Sequence, residues 1–120
     1  MTPAEPIAGA IILMDFSPAR GTEQDGQRPA LVISAPEMHE ATRRAIVCPI
    51  TRNRRPWPTK VLLPPGLGTE GAILVDQVRS VDRNERFLRT LGQAPTAVLL
   101  EVRYKLAALM GIETTMESSG

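Results

Sequence analysis

Arg28, Thr51, Asp76, Gln77 and Arg79 are the residues of this chain best equipped for chemistry, and they are of a kind that grips rather than attacks. Arg28 closes a polar glycine loop, GTEQDGQRP, directly before the apolar run Ala30 to Ile33. Thr51 ends the segment VCPIT, and Asp76, Gln77, Arg79 and Ser80 fall in DQVRS. A guanidinium offers a planar fork of donors that matches phosphate oxygens and stays charged at any working pH. A threonine hydroxyl adds one more donor. The pair suits a pentacoordinate, phosphorane-like transition state. It does not suit acyl transfer, because the sequence holds no Gly-x-Ser-x-Gly elbow, no Walker loop, no cysteine pair and no histidine beside a nucleophile.

Taken singly, these residues admit plainer roles. Arg28 fits a surface ion pair with Glu23 or Asp25. Thr51 fits a strand-end hydroxyl bonded to backbone, and Asp76 a carboxylate capping loop amides. The single His39 reads as an ordinary polar residue of a connector. The single Cys48, in AIVCPI, reads as a buried strand thiol and has no disulfide partner. One His and one Cys fall short of the roughly three ligands of a catalytic zinc site, so no metal and no other cofactor is expected.

To bring such groups together the chain must set several strands side by side. The sequence predicts strands over Ala10 to Asp15, Arg28 to Ser34, Ala45 to Ile50, Lys60 to Leu63 and Ala72 to Val81, with a short sixth over Phe87 to Leu91. APEMHEATRR reads as a connector with one helical turn, and PPGLGTEG and DRNER read as turns. Near the end, Val98, Leu99, Val102, Leu106 and Leu109 recur at helical spacing, with Pro95 at the start and Gly111 at the stop. The expected architecture is mainly β with a C-terminal helix, an antiparallel sheet curled into a small barrel. The Ser17–Gln27 loop is eleven residues long, a length uncommon between strands unless the loop is functional or disordered.

The 120 residues suit one domain, with a flexible lead over residues 1–8 and a polar tail over 113–120. With 42% apolar and 22% charged residues the class is soluble and globular. No segment approaches the ~18 apolar residues of a membrane helix, and the N-terminus lacks the pattern of a signal peptide. A cytoplasmic protein with no membrane partner is expected. The net charge of +1 excludes global attraction to a polyanion but leaves room for a local basic patch. TRNRRPWP is such a patch, with Arg52, Arg54 and Arg55 beside Trp57, although a solvated hairpin loop would look the same.

The blocks DFSPARGTEQDGQRPALVIS, VCPIT, DQVRS and EVRYKLAALMG, in this order, resemble the MazF/PemK family of toxin endoribonucleases. The likeness runs from Gly9 to about Ile112, and Gly21, Glu23, Gln24, Gly26, Arg28 and Pro29 match the family's loop pattern. It implies an SH3-like twisted antiparallel β-barrel with a C-terminal helix, forming a homodimer. It also implies sequence-specific, metal-independent cleavage of single-stranded RNA, with messenger RNA as the substrate. Arg28 and Thr51 match the family's catalytic pair. There the 2′-hydroxyl attacks the adjacent phosphate and leaves a 2′,3′-cyclic phosphate and a 5′-hydroxyl.

The candidate RNA contacts are Arg20, Thr22, Glu23, Gln24, Arg52, Arg54, Trp57, Asp76, Gln77 and Arg79. Gln24 and Gln77 are the candidates for base or sugar contacts. The resemblance further implies a cognate antitoxin whose flexible tail crosses the same groove, in a complex that binds DNA. Thr22 stands where the PemK branch has a His, and Leu74 where that branch has an Arg, which favours the Arg/Thr pair over a His/Arg/Asp set. Gly9-Ala10 replaces a common Gly-Asp, and Trp57-Pro58-Thr59 keeps the aromatic-Pro of an aromatic-Pro-Phe motif. The rival expectation is a non-enzymatic, gyrase-binding toxin of the same fold, which has no use for a phosphate-gripping Arg and Thr.

Overall fold

Strand β1 (Ala10–Asp15) sends Ile11 into one apolar cluster and Ala10, Ile12 and Met14 into another, as the two-residue period of a strand requires. The same alternation splits β2 (Gln27–Val32) and β3 (Arg44–Thr51), so the sheet is apolar on both faces. These strands belong to a computed structural model that describes residues 7–16 and 26–113. Between β2 and β3 lies helix α1 (Pro36–Thr42). After β3 come β4 (Lys60–Leu62), β5 (Ala72–Leu74), a 3-10 turn (Val75–Gln77), β6 (Arg79–Asp82), helix α2 (Arg83–Arg86), β7 (Phe87–Gln93) and helix α3 (Thr96–Leu109).

All strand pairs among the described residues are antiparallel, in the order β4-β5-β3-β2-β1-β7, with β6 also on β3. The expected antiparallel sheet with a C-terminal helix is present. Its ladders, however, do not close into a complete barrel. A loop, residues 64–71, spans the gap between β4 and β7. There a Cβ on Gly92 would stand 2.5 Å from the Leu67 carbonyl oxygen, and one on Gly68 would stand 2.8 Å from that of Leu91. Close backbone approach without side chains takes the place of a ladder.

Four expectations are corrected. Among the described residues there are seven strands where five or six were expected. The fifth strand, expected unbroken over Ala72 to Val81, is two strands divided by the 3-10 turn. DRNER is helical over Arg83–Arg86, because Asp82 caps it by accepting the Asn84 and Glu85 amides at 2.8 and 3.3 Å. The sixth strand expected over Phe87 to Leu91 runs on to Gln93.

Helix α3 covers the larger cluster with Val98, Leu99 and Val102, against Ile11, Leu31, Ile33, Val61, Leu63, Ile73 and Val75. Leu106 packs partly, but Leu109 is half exposed and off the expected stripe. Arg103 ties the helix to β2 by donating Nε and Nη2 to the Ile33 carbonyl at 3.1 and 2.7 Å.

Candidate functional site

Register decides which side chains meet. β2 pairs with β3 through Ala30 opposite Pro49, the last pair of that ladder, and the same register carried two residues beyond it points Arg28 toward Thr51. Arg28 is also paired with Met14 of β1, and Thr51 with Ala72 of β5. The pairs Met14–Arg28 and Thr51–Ala72 thus lie at the same end of the sheet, just past the last β2–β3 pair. Opposed residues share a face, so the guanidinium and the hydroxyl lie on the side of Met14, Ala30 and Val47. Arg28 is exposed and Thr51 half-buried.

The backbone fixes Thr51 tightly. At Gly71 (φ +136) an added Cβ would fall 2.0 Å from the Thr51 carbonyl oxygen, so only glycine lets the start of β5 lie against this residue. The Thr51 hydroxyl oxygen accepts the Asn53 amide at 3.2 Å, which leaves its own O–H available as a donor. Asn53 Oδ1 accepts the Arg55 amide at 2.9 Å, and Lys60 Nζ donates to the carbonyls of Asn53 and Arg55 at 3.2 and 3.1 Å. The basic loop after Thr51 is therefore a chain of side-chain turns clipped by a lysine. It presents Arg52, Arg55 and Trp57 outward, with Trp57 64% exposed.

Arg54 differs from its neighbours. Its Nη1 donates to the carbonyls of Leu63 and Gly71, each at 3.2 Å, and binds the loop to the β4–β5 connection. Arg79 leaves β6 and lies 5.2 Å from the centre of the Phe16 ring, a cation–π contact on the Arg28 face.

Asp76 and Gln77 are exposed on the 3-10 turn rather than in a strand. β3 takes three residues from Val47 to Ile50, while its partners take six from Ile73 to Arg79, and the surplus bulges out as the turn. This sets Asp76 and Gln77 beside Cys48 and Pro49, close to Thr51 but on the opposite edge of β3 from Arg28. Burial, and secondly the Asp76 carboxylate, pushes the Cys48 thiol up from an ordinary 9.0 to about 12. Cys48 is a buried strand thiol, as expected. The expected contacts Arg20, Thr22, Glu23 and Gln24 lie outside the described residues.

Two features were missed in the sequence. His39 is fully buried, with Nε2 2.7 Å from the Ser34 hydroxyl, which also accepts the Ile46 amide at 2.9 Å. Only Pro36 at the start of α1 hinted that the connector folds back on the sheet. The second is a cavity of about 560 Å³ on the face opposite Arg28 and Thr51, lined by Leu13, Gln27, Pro29, Ile50, Arg52, Arg54, Thr69, Glu70 and Leu91. No pattern in PPGLGTEG marks Thr69 or Glu70 as part of a wall. Among the described residues, no group of three or more His, Cys, Asp or Glu is gathered closely enough to hold a metal ion.

Residues 7–110 match the family described as PemK-like, MazF-like toxin of type II toxin-antitoxin system. The chain is 32% identical over 106 residues to the endoribonuclease toxin MazF of Escherichia coli, covering 88% of this chain and 95% of that protein. It is 36% identical over 107 residues to the endoribonuclease toxin ChpB of the same organism, covering 85% and 91%. Among solved structures, MazF of Deinococcus radiodurans superposes with a TM-score of 0.82 at 40% identity, covering 92% of this chain and all of that one. A MazE–MazF complex from that organism gives 0.82 at 39% identity with the same coverage.

Proposed function

The chain belongs to the PemK-like, MazF-like toxins of type II toxin–antitoxin systems, and from that premise we propose that it is an endoribonuclease that cuts single-stranded RNA by attack of the ribose 2′-hydroxyl on the neighbouring phosphate. The relatives' activity carries the enzyme class. The observation that supports the chemistry is the β2–β3 register, which, carried two residues past its last pair Ala30–Pro49, brings Arg28 and Thr51 to one face at the same end of the sheet.

In this reading the nucleophile comes from the substrate, so the protein needs no activated serine or cysteine. The 2′-oxygen bonds to phosphorus as the bond to the 5′-oxygen breaks. The 2′ proton departs and the 5′-oxygen gains one. The products are a 2′,3′-cyclic phosphate and a 5′-hydroxyl. Arg28 neutralises the charge that grows on the phosphoryl oxygens, and its fixed fork suits two of them. Thr51 donates its free O–H to another, held in aim by the Asn53 amide. Both charge-stabilising roles are filled by side chains, so the step is proposed to run without a metal ion.

Arg52, Arg55 and Trp57 track and stack the strand beside the cut. Gln77 and Asp76 border it from the other edge of β3, and Arg79 adds charge on the Arg28 face. The partner is a cognate antitoxin, as in the MazE–MazF complex, and the toxin acts in the cytoplasm as a homodimer. Incubation with a long RNA, with and without EDTA, should give the same cuts, with cyclic phosphate and 5′-hydroxyl ends. Continued cutting of a strand carrying a 2′-deoxy nucleotide at the cut position would exclude this chemistry.

A further inference from the structure

Phe16 lies beside Arg28 in the ladder and under Arg79 in space, and the phosphate chemistry above gives it no task. Its amide donates to the Gly26 carbonyl at 3.1 Å, which carries the β1–β2 ladder one step past Asp15–Gln27. Phe16 therefore follows Met14 on the face that holds Arg28, packed against the same apolar cluster as Met14. It is the diagonal neighbour of Arg28, a relation that spans roughly 7–8 Å in an antiparallel pair. From another side comes Arg79, on β6 opposite Val47. Its guanidinium carbon lies 5.2 Å from the centre of the Phe16 ring.

The choice of an aromatic partner has a consequence for charge. A carboxylate would hold Arg79 and also neutralise it. A ring face holds a cation through its quadrupole and leaves the charge for another anion. Among the described residues no carboxylate pairs with Arg79, and the residue is exposed. A guanidinium placed in this way keeps its planar fork open to phosphate oxygens. Its position says which phosphate. Arg52 and Arg55 follow Thr51 at the end of β3, whereas Phe16 lies past Arg28 on the β1 side. RNA laid across the β-strands would meet the loop arginines on one flank and Arg79 on the other, with the cut phosphate between them.

We propose that Phe16 is a positioning residue: its ring holds Arg79 as the anchor for the phosphate next to the cut one, on the β1 side. The inference rests on the RNA-cleaving reading above and deepens it. It gives a task to an apolar side chain that itself touches no phosphate, and it sets the path of the RNA across the sheet end.

The test measures binding of an uncleavable RNA with a 2′-deoxy nucleotide at the cut position. A neutral methylphosphonate is placed at one or the other phosphate flanking the cut. The parent, Arg79→Gln, Phe16→Leu and the double variant are compared, with folding checked by thermal melting. At one flanking phosphate the methylphosphonate should weaken the parent about tenfold, the scale of one charge-assisted hydrogen bond, and should hardly affect Arg79→Gln. Phe16→Leu keeps an apolar side chain but removes the ring. It should weaken binding of the all-phosphate RNA about two- to fivefold, the scale of an exposed cation–π contact, and Phe16→Tyr should restore it. In the Arg79→Gln background Phe16→Leu should change nothing more. A ring with a merely structural role would act alike in both backgrounds, and that result overturns the proposal. Equal methylphosphonate losses in the parent and Arg79→Gln overturn it too. Where leucine does not fold, Phe16→Met takes its place. A parent that cuts no RNA overturns the enzymatic reading and this inference with it. A parent that cuts and shows those equal losses overturns this inference alone.

Discussion

Arg28 and Thr51 illustrate how far single residues can be interpreted. Their types named phosphate chemistry, and the blocks around them named a family, but only the β2–β3 register, extended two residues past Ala30–Pro49, brings them to the same end of the sheet. Arg28→Ala and Thr51→Val test the pair separately. Each removes one positioned donor, worth ~3–4 kcal/mol in the transition state, so kcat should fall ~10²–10³-fold. Thr51→Val keeps the branched shape, so its melting temperature should stay near the parent's, and an unchanged kcat would remove the hydroxyl from the mechanism. Arg54 is the instructive contrast. Its place in a basic run marked it as an RNA contact, whereas its Nη1 is spent on two carbonyls. Arg54→Ala should therefore lower stability as well as affinity, while Arg55→Ala should touch affinity alone. Cys48 gives a pH test. Its thiol ionises near 9.0 when exposed and near 12 in the fold. Between those values the unfolded chain loses a proton that the native state keeps, so stability is intact below about pH 9 and falls as pH rises toward 12. The slope is about 1.4 kcal/mol per pH unit. Denaturant melts of the parent and Cys48→Ala across pH 8–11 should diverge in slope; parallel slopes would contradict the burial effect.

At the scale of elements, legibility followed local pattern. β1, β3 and α3 were readable because their apolar periods are set by the chain itself. The break between β5 and β6 was not, since AILVDQVRSV holds no glycine or proline to announce it. The cause is non-local: β3 offers too short an edge for its partners, and the surplus becomes the 3-10 turn. That turn is what moves Asp76 and Gln77 out of the ladder. The same dependence on a neighbour explains Gly71, whose importance was invisible in a Pro/Gly-rich turn and is plain once Thr51 lies against it. Gly71→Ala must either push the Thr51 carbonyl aside or shift β5, and its φ of +136 adds strain for any side chain. Thermal melting should show a loss of several degrees, and the residual folded enzyme should lose activity toward that of Thr51→Val. Gly66→Ala shares a positive φ (+86) but has nothing within 4 Å, so it should destabilise less and spare the activity. Equal effects from both glycines would mean that strain, not the clash with Thr51, governs the site.

For the molecule as a whole, a net charge of +1 poses a problem for a protein that must hold a polyanion. Attraction cannot come from the overall field, so it has to come from charge gathered at one end of the sheet. Arg28, Arg52 and Arg55 are brought to that end by three separate facts: the β2–β3 register, the turn chain after Thr51, and the Lys60 clip that holds it. Glu70 and Asp76 are acidic residues at the margins of that end. Such an arrangement makes a quantitative demand on salt dependence. Each phosphate neutralised on a single strand contributes about −0.7 to the slope of log K against log salt. If Arg52 and Arg55 each hold one phosphate, the double variant Arg52→Gln/Arg55→Gln should bind an uncleavable RNA with a slope shallower by about 1.4. Arg103→Gln, whose guanidinium is committed to the Ile33 carbonyl on the other side of the fold, should leave the slope unchanged. A uniform flattening by both variants would point to diffuse charge, and a net charge this close to zero could not then account for RNA binding at all.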